Sequence, residues 1–555
     1  MKLTDEQQHA LELFLAGESL VLDAVAGSGK TTTLKLLARA APERSGRYLA
    51  YNRAIADEAA ASFPRHVRCC TMHALAYKSV GAKLRHKLGG RLTGEQFAEA
   101  LGISRGCAGL EPAQLGSVLL RALRRFCQSD APVPGASHVT RAGLDPEQHE
   151  EVRAWASGWL DGAWWLWSSA QNHLPISHEV YLKAWALTKP RQHSDVIFFD
   201  EAQDANPVTI GVVERWHQRG AQLVIVGDRY QQIYSWRGAV NAMERFGLER
   251  AALTRSWRYG EAIAALATEV LQRLRGATLT IVGAPERASC LDDLEHPEAV
   301  LCRSNIGVIR ETLDAMERGE RPYIQGGIAT LTALLQGAQA LQRGQEPRCA
   351  ELADFRSWPE VVKHSESEEG QDLRTLVRLV DQWGSEWLLD RIRQIEHVRP
   401  EEADLTISTA HKSKGLEWSS VRLSDDFPAP EIDLESGLPS SKRWSDEEAH
   451  LLYVAITRAQ DHLDTSRCPP LQELQTLPDE IRSPGEEALS HPSPTPPILT
   501  EVLLPLMVSP ESRAMLTMWA YSRDLTPDQA IKALLHLAAR VDDPHRTPPV
   551  QASLF

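Results

Sequence analysis

Three things are scarce in this sequence: paired cysteines, long apolar runs and positive charge. Its 8 cysteines include no C-x-x-C pair, and the adjacent Cys69 and Cys70 sit in an apolar, strand-like setting. That excludes a zinc ribbon and a disulfide framework, and it fits a reducing compartment with buried or incidental thiols. No apolar run reaches the roughly 18 residues needed to span a bilayer. The start, MKLTDEQQHALELFL, carries acidic residues where a secretory signal needs basic ones. A soluble cytoplasmic protein is therefore expected. The net charge of −14 excludes an all-over basic surface of the histone kind. It leaves open a local basic groove for phosphates.

What is present is a long chain of 555 residues, 43% apolar and 24% charged. That length exceeds one hydrophobic core and implies several globular domains. Apolar strand-like runs alternate with helical periodicity, the pattern of parallel α/β sheets. The first set contains SLVLDA, RYLAYN, VRCCT, SDVIFFDEAQD and AQLVIVGD. A mostly helical stretch interrupts it, with Leu115, Leu119 and Leu123 forming one face. The second set contains AALTRSWRYG, EAVLCRSN, ADLTISTAHKSKGLEW and EEAHLLYVAITRAQDHL, interrupted by a helical stretch broken at RPYIQGG. The cluster RAWASGWLDGAWWLWSS, with Trp155, Trp159, Trp164, Trp165 and Trp167, has helical spacing and is expected to pack the first insertion.

The segment SLVLDAVAGSGKTTTL carries the first chemistry. An apolar strand runs into Ala24, Val25, Ala26, Gly27, Ser28 and Gly29, and Lys30, Thr31 and Thr32 open a helix. Backbone N–H groups at such a helix start cradle phosphates, Lys30 would reach the β/γ oxygens, and Thr31 would bind Mg²⁺. Ala24 stands where this loop pattern usually has its first glycine, a place that needs only a small residue. VIFFDEAQD adds the matching carboxylates: Asp200 to hold Mg²⁺ through its water shell, and Glu201 to polarise an attacking water. Two carboxylates on a solvated strand end are the bland alternative, and the phosphate loop weighs against it.

From LTDEQ to YVAITRAQ, these motifs in this order resemble superfamily 1 DNA helicases of the UvrD/Rep type, most of all the small F-box DNA helicase subgroup, whose loop also begins with alanine. The likeness covers most of residues 1–465. It implies two RecA-like parallel-sheet cores, each with a helical insertion, and a DNA-stimulated ATP hydrolase. The implied layout is a first core at 1–78 and 190–245 with an insertion at 79–189. A second core follows at 246–306 and 400–468, with a reduced insertion at 307–399. By the same resemblance Gln7 contacts adenine and Trp257 stacks on it. Gln231 senses the γ-phosphate, Arg258 and Arg458 reach it from the second core, and Glu417, with Gly415 beside it, meets the ribose.

The resemblance also implies a single-stranded DNA channel lined by Tyr51, Asn52, Arg53, Thr71, His73, Tyr234, Trp236, Arg237 and His411. Such a channel needs cations for phosphates and aromatic faces for bases. Trp236 read alone fits a core residue equally well, and its surrounding motif favours stacking. Single strands and single/double-strand junctions are the expected substrates, with 3′→5′ polarity, in repair, recombination or replication. A translocase that strips proteins with weak unwinding is the nearest alternative, because the second insertion is short. A clamp-docked DNA-binding protein with a vestigial ATPase is the other, against which the intact catalytic positions speak. No nuclease constellation follows the last motif.

Beyond Cys468 the composition shifts to a Pro/Ser/Glu-rich linker at 469–500. A small helical module is expected at 501–545, rather than a ribbon-helix-helix reader, because LLPLM offers no polar side chains to bases. The last residues, QASLF, resemble a bacterial sliding-clamp peptide with anchors Gln551, Leu554 and Phe555. An ordinary terminus is the alternative.

Overall fold

The computed structural model describes residues 3–476, except 91, 142–143, 235–239, 350, 354, 367–370 and 431–443. Trp236, Arg237, the expected module at 501–545 and the anchors Gln551, Leu554 and Phe555 lie outside the described residues. No described helix is long and apolar enough to cross a membrane.

Two six-stranded sheets organise the described chain. In the first, β1 (Leu20–Ala24), β2 (Gly46–Ala50), β3 (Val67–Thr71), β4 (Val196–Phe199), β5 (Gln222–Gly227) and β6 (Glu249–Leu253) lie in the order β3-β2-β4-β5-β1-β6. Its ladders are parallel throughout. Continuous apolar runs such as VIFF and LVIVG suit strands covered on both faces. Successive side chains accordingly enter different cores. Leu20, Leu22, Val196 and Phe198 face one helical layer, and Val21, Ile197, Phe199 and Ile225 face the other.

That second layer combines the first insertion, between β3 and β4, with the helix Pro207–Gln218 that follows β4. Leu115, Leu119 and Leu123 on the helix Pro112–Gln128 are fully buried in it. The helix Gly94–Leu101 packs against that helix at backbone range. A Cβ on Gly116 would lie 2.0 Å from the Gly94 carbonyl oxygen, so only glycine permits the approach. Trp167 is buried and Trp155, Trp159 and Trp164 pack around the core, but Trp165 points to solvent with 66% exposure. Two buried lysines close the layer. Lys87 Nζ donates to the carbonyls of Trp167 and Ser169 at 2.7 and 2.6 Å. Lys183 Nζ donates to Ser129 and Ala131 at 2.7 and 2.6 Å and lies over the Phe126 ring.

The second sheet holds β7 (Cys290–Leu291), β8 (Ala299–Cys302), β9 (Pro322–Ile324), β10 (Leu405–Thr409), β11 (Trp418–Leu423) and β12 (Ala459–Asp464), ordered β7-β12-β11-β8-β10-β9. It too is parallel throughout.

Three expected boundaries change. The second core was expected from residue 246, yet β6 runs beside β1 in the first sheet, pairing Leu20 with Glu249 and Ala24 with Leu253. The insertion expected at 307–399 is narrower, because β9 pairs with β10 and belongs to the second sheet. The linker expected from 469 begins instead with the helix Pro469–Thr476, whose Leu471 and Leu474 are buried.

Candidate nucleotide cleft and nucleic-acid interface

After β1 the chain turns through Val25–Gly29 into the helix Lys30–Ala40. Gly27 and Gly29 hold φ of +75° and +78°, the left-handed region. At Gly27 a Cβ would meet Arg258 Cβ and Ser256 Oγ at 2.6 Å each, so a side chain there would push the loop off its opposite wall. The loop is tied down: Val25 N–H donates to Leu253 of β6 in its own sheet at 3.0 Å, and Trp257 N–H, just beyond β6, donates to the Gly27 carbonyl at 2.8 Å. No side chain caps the Lys30 helix, so its first-turn N–H groups face the cleft as an anion site. Ser28 Oγ is buried and lacks a hydrogen-bond partner. That orphan in a glycine cradle is what a phosphate oxygen would satisfy, so the loop fits a nucleotide polyphosphate.

β4 delivers Asp200 and Glu201 beside the loop. Tyr48, from β2, donates its hydroxyl to one Asp200 oxygen, and Glu201 N–H donates to the other at 2.9 Å. Glu201 sits at φ +51°, a strained setting for a side chain with a Cβ and one typical of functional sites. Its carboxylate lies 3.8 Å from Lys30 Nζ and accepts from Gln203 Nε2 at 2.5 Å. Burial and the neighbouring Glu201 charge push the Asp200 carboxyl above its ordinary range. For Glu201, burial acts the same way but is outweighed by Lys30, Lys414, Gln203 and Arg458, which hold it below. An ionised Glu201 can orient water, and a crowded Asp200 gains from a divalent cation. The donor set therefore fits Mg²⁺, which Thr31 and Asp200 would hold and which would supply charge neutralisation at phosphate oxygens.

The facing wall comes from the segment just after β6 and from residues 414–458. Arg258 Nε pairs with Glu417 at 2.6 Å and its Nη1 donates to the Thr457 carbonyl at 3.0 Å. Glu417 also accepts from Gln460 at 2.8 Å. Arg458 is 1% exposed and donates to the carbonyls of Val454 and Leu416 at 2.9 and 3.2 Å. Burial and the Arg258 charge lower its pKa to about 9.

One cleft of about 790 Å³, a size that suits a small-molecule ligand, brings these walls together. Gly27, Ser28, Gly29, Lys30, Thr31, Thr32, Glu201 and Gln231 line one side; Trp257, Arg258, Gly415, Glu417 and Arg458 line the other. Trp257 is 41% exposed there, with the Arg255 guanidinium over its ring. Ala24, Val25 and Ala26 are buried below the loop. Gln7 is buried apart from the cleft lining, where its amide closes a capping box with Thr4 and donates to Thr33 Oγ1 at 3.3 Å.

Several residues that bind the walls together went unassigned at the sequence level. The Tyr453 hydroxyl donates to Asp228 and accepts from Ala26 N–H, both at 3.0 Å, so one phenol from the Arg458 segment holds the phosphate loop. Burial raises the Asp228 pKa to about 6. Lys414 pairs with Asp204 and donates to the Gln231 carbonyl at 2.7 Å. Both neighbour residues of the helicase-like motifs: Tyr453 opens YVAITRAQ, and Lys414 lies in HKSKGLEW.

The expected strand-binding residues divide. Tyr51 and Tyr234 stack with ring centres 6.3 Å apart, and Tyr234 donates its hydroxyl to the His411 carbonyl at 3.2 Å. Tyr51, His73 and Tyr234 line a cavity of about 340 Å³ that also touches Asp200 and Glu201. His73 meets Glu179 of the first insertion at 3.2 Å, and Glu179 also accepts from Asn206 at 3.4 Å. Asn52 and Thr71 cap helices, accepting from Ile55 and Ala74 N–H groups, and Asn52 also lines the nucleotide cleft. Arg53 is exposed beside Asp57.

Comparison with known proteins agrees with this geometry. Residues 170–245 match the UvrD/REP helicase N-terminal domain, and residues 303–468 match the UvrD-like helicase C-terminal domain. F-box DNA helicase protein 1 of Schizosaccharomyces pombe is 31% identical over 510 residues, covering 83% of this chain and 57% of that protein. F-box DNA helicase 1 of Gallus gallus is 30% identical over 530 residues, covering 86% and 50%. The ATP-dependent DNA helicase UvrD2 of Mycobacterium tuberculosis is 27% identical over 326 residues, covering 48% and 46%. The chain thus spans about half the length of these relatives. One polypeptide carries both a UvrD/REP helicase N-terminal domain and a UvrD-like helicase C-terminal domain, with the cleft between their sheets.

Proposed function

We propose that this chain is the motor of an ATP-dependent DNA helicase or single-strand translocase of 3′→5′ polarity, acting in DNA repair or recombination. The observation that carries the reading is the cleft in which Lys30 and Glu201 face Arg258 and Arg458. In this reading the loop N–H groups and Lys30 bind the phosphates. Glu201 orients the attacking water, and the two guanidiniums neutralise charge that develops at the terminal phosphate. Because Lys30 follows a strand of the first sheet and Arg458 precedes a strand of the second, turnover alternately draws the two sheets together and releases them. Tyr51 and Tyr234, stacked next to Glu201, supply the base-facing surface through which that motion would be transmitted.

The narrow second insertion, confined between β9 and β10, favours a second reading: protein displacement from single strands with weak duplex unwinding. Strand displacement on forked substrates of either polarity, run beside displacement of a protein bound to single strands, separates the two. The motor reading expects DNA-stimulated ATP hydrolysis with movement on a 3′ overhang. ATP turnover indifferent to DNA would refute it. Docking of QASLF to a sliding clamp is a further proposal, and clamp binding that survives deletion of the last five residues would refute that.

A further inference from the structure

Along β12, outside the lining of the nucleotide cleft, three unlike side chains converge on the edge of the second sheet. The ladder pairs His462 on β12 with Cys290 on β7. Strand alternation then puts Asp292, two residues beyond Cys290, on the same face. One donor atom each from Cys290, Asp292 and His462 lies within 4.8 Å of the others. The backbone beyond β7 stays laced to β12. Asp292 N–H continues the ladder to the Leu463 carbonyl at 3.1 Å, and Leu294 N–H donates to Asp464 at 3.2 Å. His462 Nδ1 already meets Asp292 Oδ2 at 2.7 Å, and all three side chains reach solvent.

We propose that Cys290, Asp292 and His462 form a zinc-class divalent metal site, with water completing a tetrahedron. The donor set decides the metal. Thiolate and imidazole nitrogen with one carboxylate suit a borderline-soft ion, whereas Mg²⁺ and Ca²⁺ prefer oxygen alone. Tetrahedral zinc with bonds of about 2.0–2.3 Å places neighbouring donors roughly 3.3–3.7 Å apart. Exposed side chains reach that by closing about 1 Å at the widest pair, while the Asp292–His462 contact opens slightly to admit the ion. Binding exchanges the Cys290 thiol proton for the metal, Cys–SH + M²⁺ giving Cys–S⁻–M²⁺ + H⁺, so affinity rises with pH. The ion would clasp β7, a two-residue strand at the sheet edge. β12 also carries Asp461, which pairs with Arg287 at 3.5 Å, and Arg287 donates to the Arg258 carbonyl at 3.0 Å. The clasp therefore braces the strand from which the second wall of the cleft is supported.

The full chain, stripped of metal and kept reduced, is titrated with Co²⁺ and then Zn²⁺. One equivalent of Co²⁺ should produce a thiolate-to-cobalt charge-transfer band that Zn²⁺ abolishes. C290S should lose the band, and D292N and H462Q should weaken Co²⁺ binding at least about tenfold. Zn²⁺ should raise Tm of the unaltered chain and leave Tm of C290S unchanged. No band in the unaltered chain, a band that persists in C290S, or an equal Tm rise in both would overturn the proposal.

Discussion

The two sheets share one plan, six parallel strands flanked by helices, and contribute opposite things to the cleft between them. The first brings small residues and acids. Glycines at positive φ let backbone N–H groups converge, and β4 ends in Asp200 and Glu201. The second brings reach: Lys414 and Tyr453 extend from its segments to Asp204, Gln231, Ala26 and Asp228 on the first wall, and its carbonyls at Val454, Leu416 and Thr457 hold the Arg458 and Arg258 guanidiniums in the cleft. A concave anion site cannot be made from long cations alone, because each needs a counter-surface to hold it.

The largest expected effect comes from disarming the first wall. Lys30→Ala should lower DNA-stimulated ATP turnover by at least about 10²–10³-fold in a steady-state hydrolysis assay, the range typical of losing one preorganised charge stabiliser. Gly27→Ala sharpens the comparison from the backbone side. Its Cβ would collide with Arg258 Cβ and Ser256 Oγ while φ stays at +75°. Nucleotide affinity, read by a fluorescent analogue, should fall by more than about tenfold, since strain of this kind costs roughly 1–3 kcal/mol.

Tyr453→Phe removes only a hydroxyl, yet it leaves Asp228 and Ala26 N–H without the partner that joins the walls. Denaturant unfolding should show a loss of about 1–3 kcal/mol, the cost of orphaned buried polar groups. No change would mean that the loop and the Arg458 segment are not coupled through this phenol.

A smaller, pH-linked effect separates the first insertion from both walls. Burial lowers the Lys183 pKa to about 8, against 10.5 for the free side chain. Between those values the unfolded chain binds the extra proton, so this lysine's contribution to stability rises with pH. It is fully present above about 10.5 and lost as pH falls through about 8. The stability of the unaltered chain relative to Lys183→Met should therefore increase from about pH 7 to about pH 10, with ATP turnover scarcely altered.

How far the sequence was legible follows from the range of each interaction. VIFF and LVIVG declare buried strands locally, and the loop from Ala24 to Thr32 declares its chemistry because its donors are consecutive. β6 did not. AALTRSW sits next to second-half motifs, and only a ladder with residues more than two hundred positions away assigns it to the first sheet. β9 is three residues long, too short for a period to show. The helix Pro469–Thr476 was hidden by its prolines, which read as breakers although the first helical turn tolerates them. Tyr453 lay in plain view within a quoted motif. Its role needed a contact 427 residues back along the chain, which no spacing rule supplies.

The central claim is that the second wall completes the first, and Arg258→Ala tests it most directly through paired measurements of nucleotide affinity and single-turnover hydrolysis. The loop side is untouched, so affinity should stay within about tenfold, while hydrolysis should drop by about 10³-fold, the low end of what an arginine in this position contributes. Hydrolysis at the unaltered rate would mean that the two sheets meet without working together.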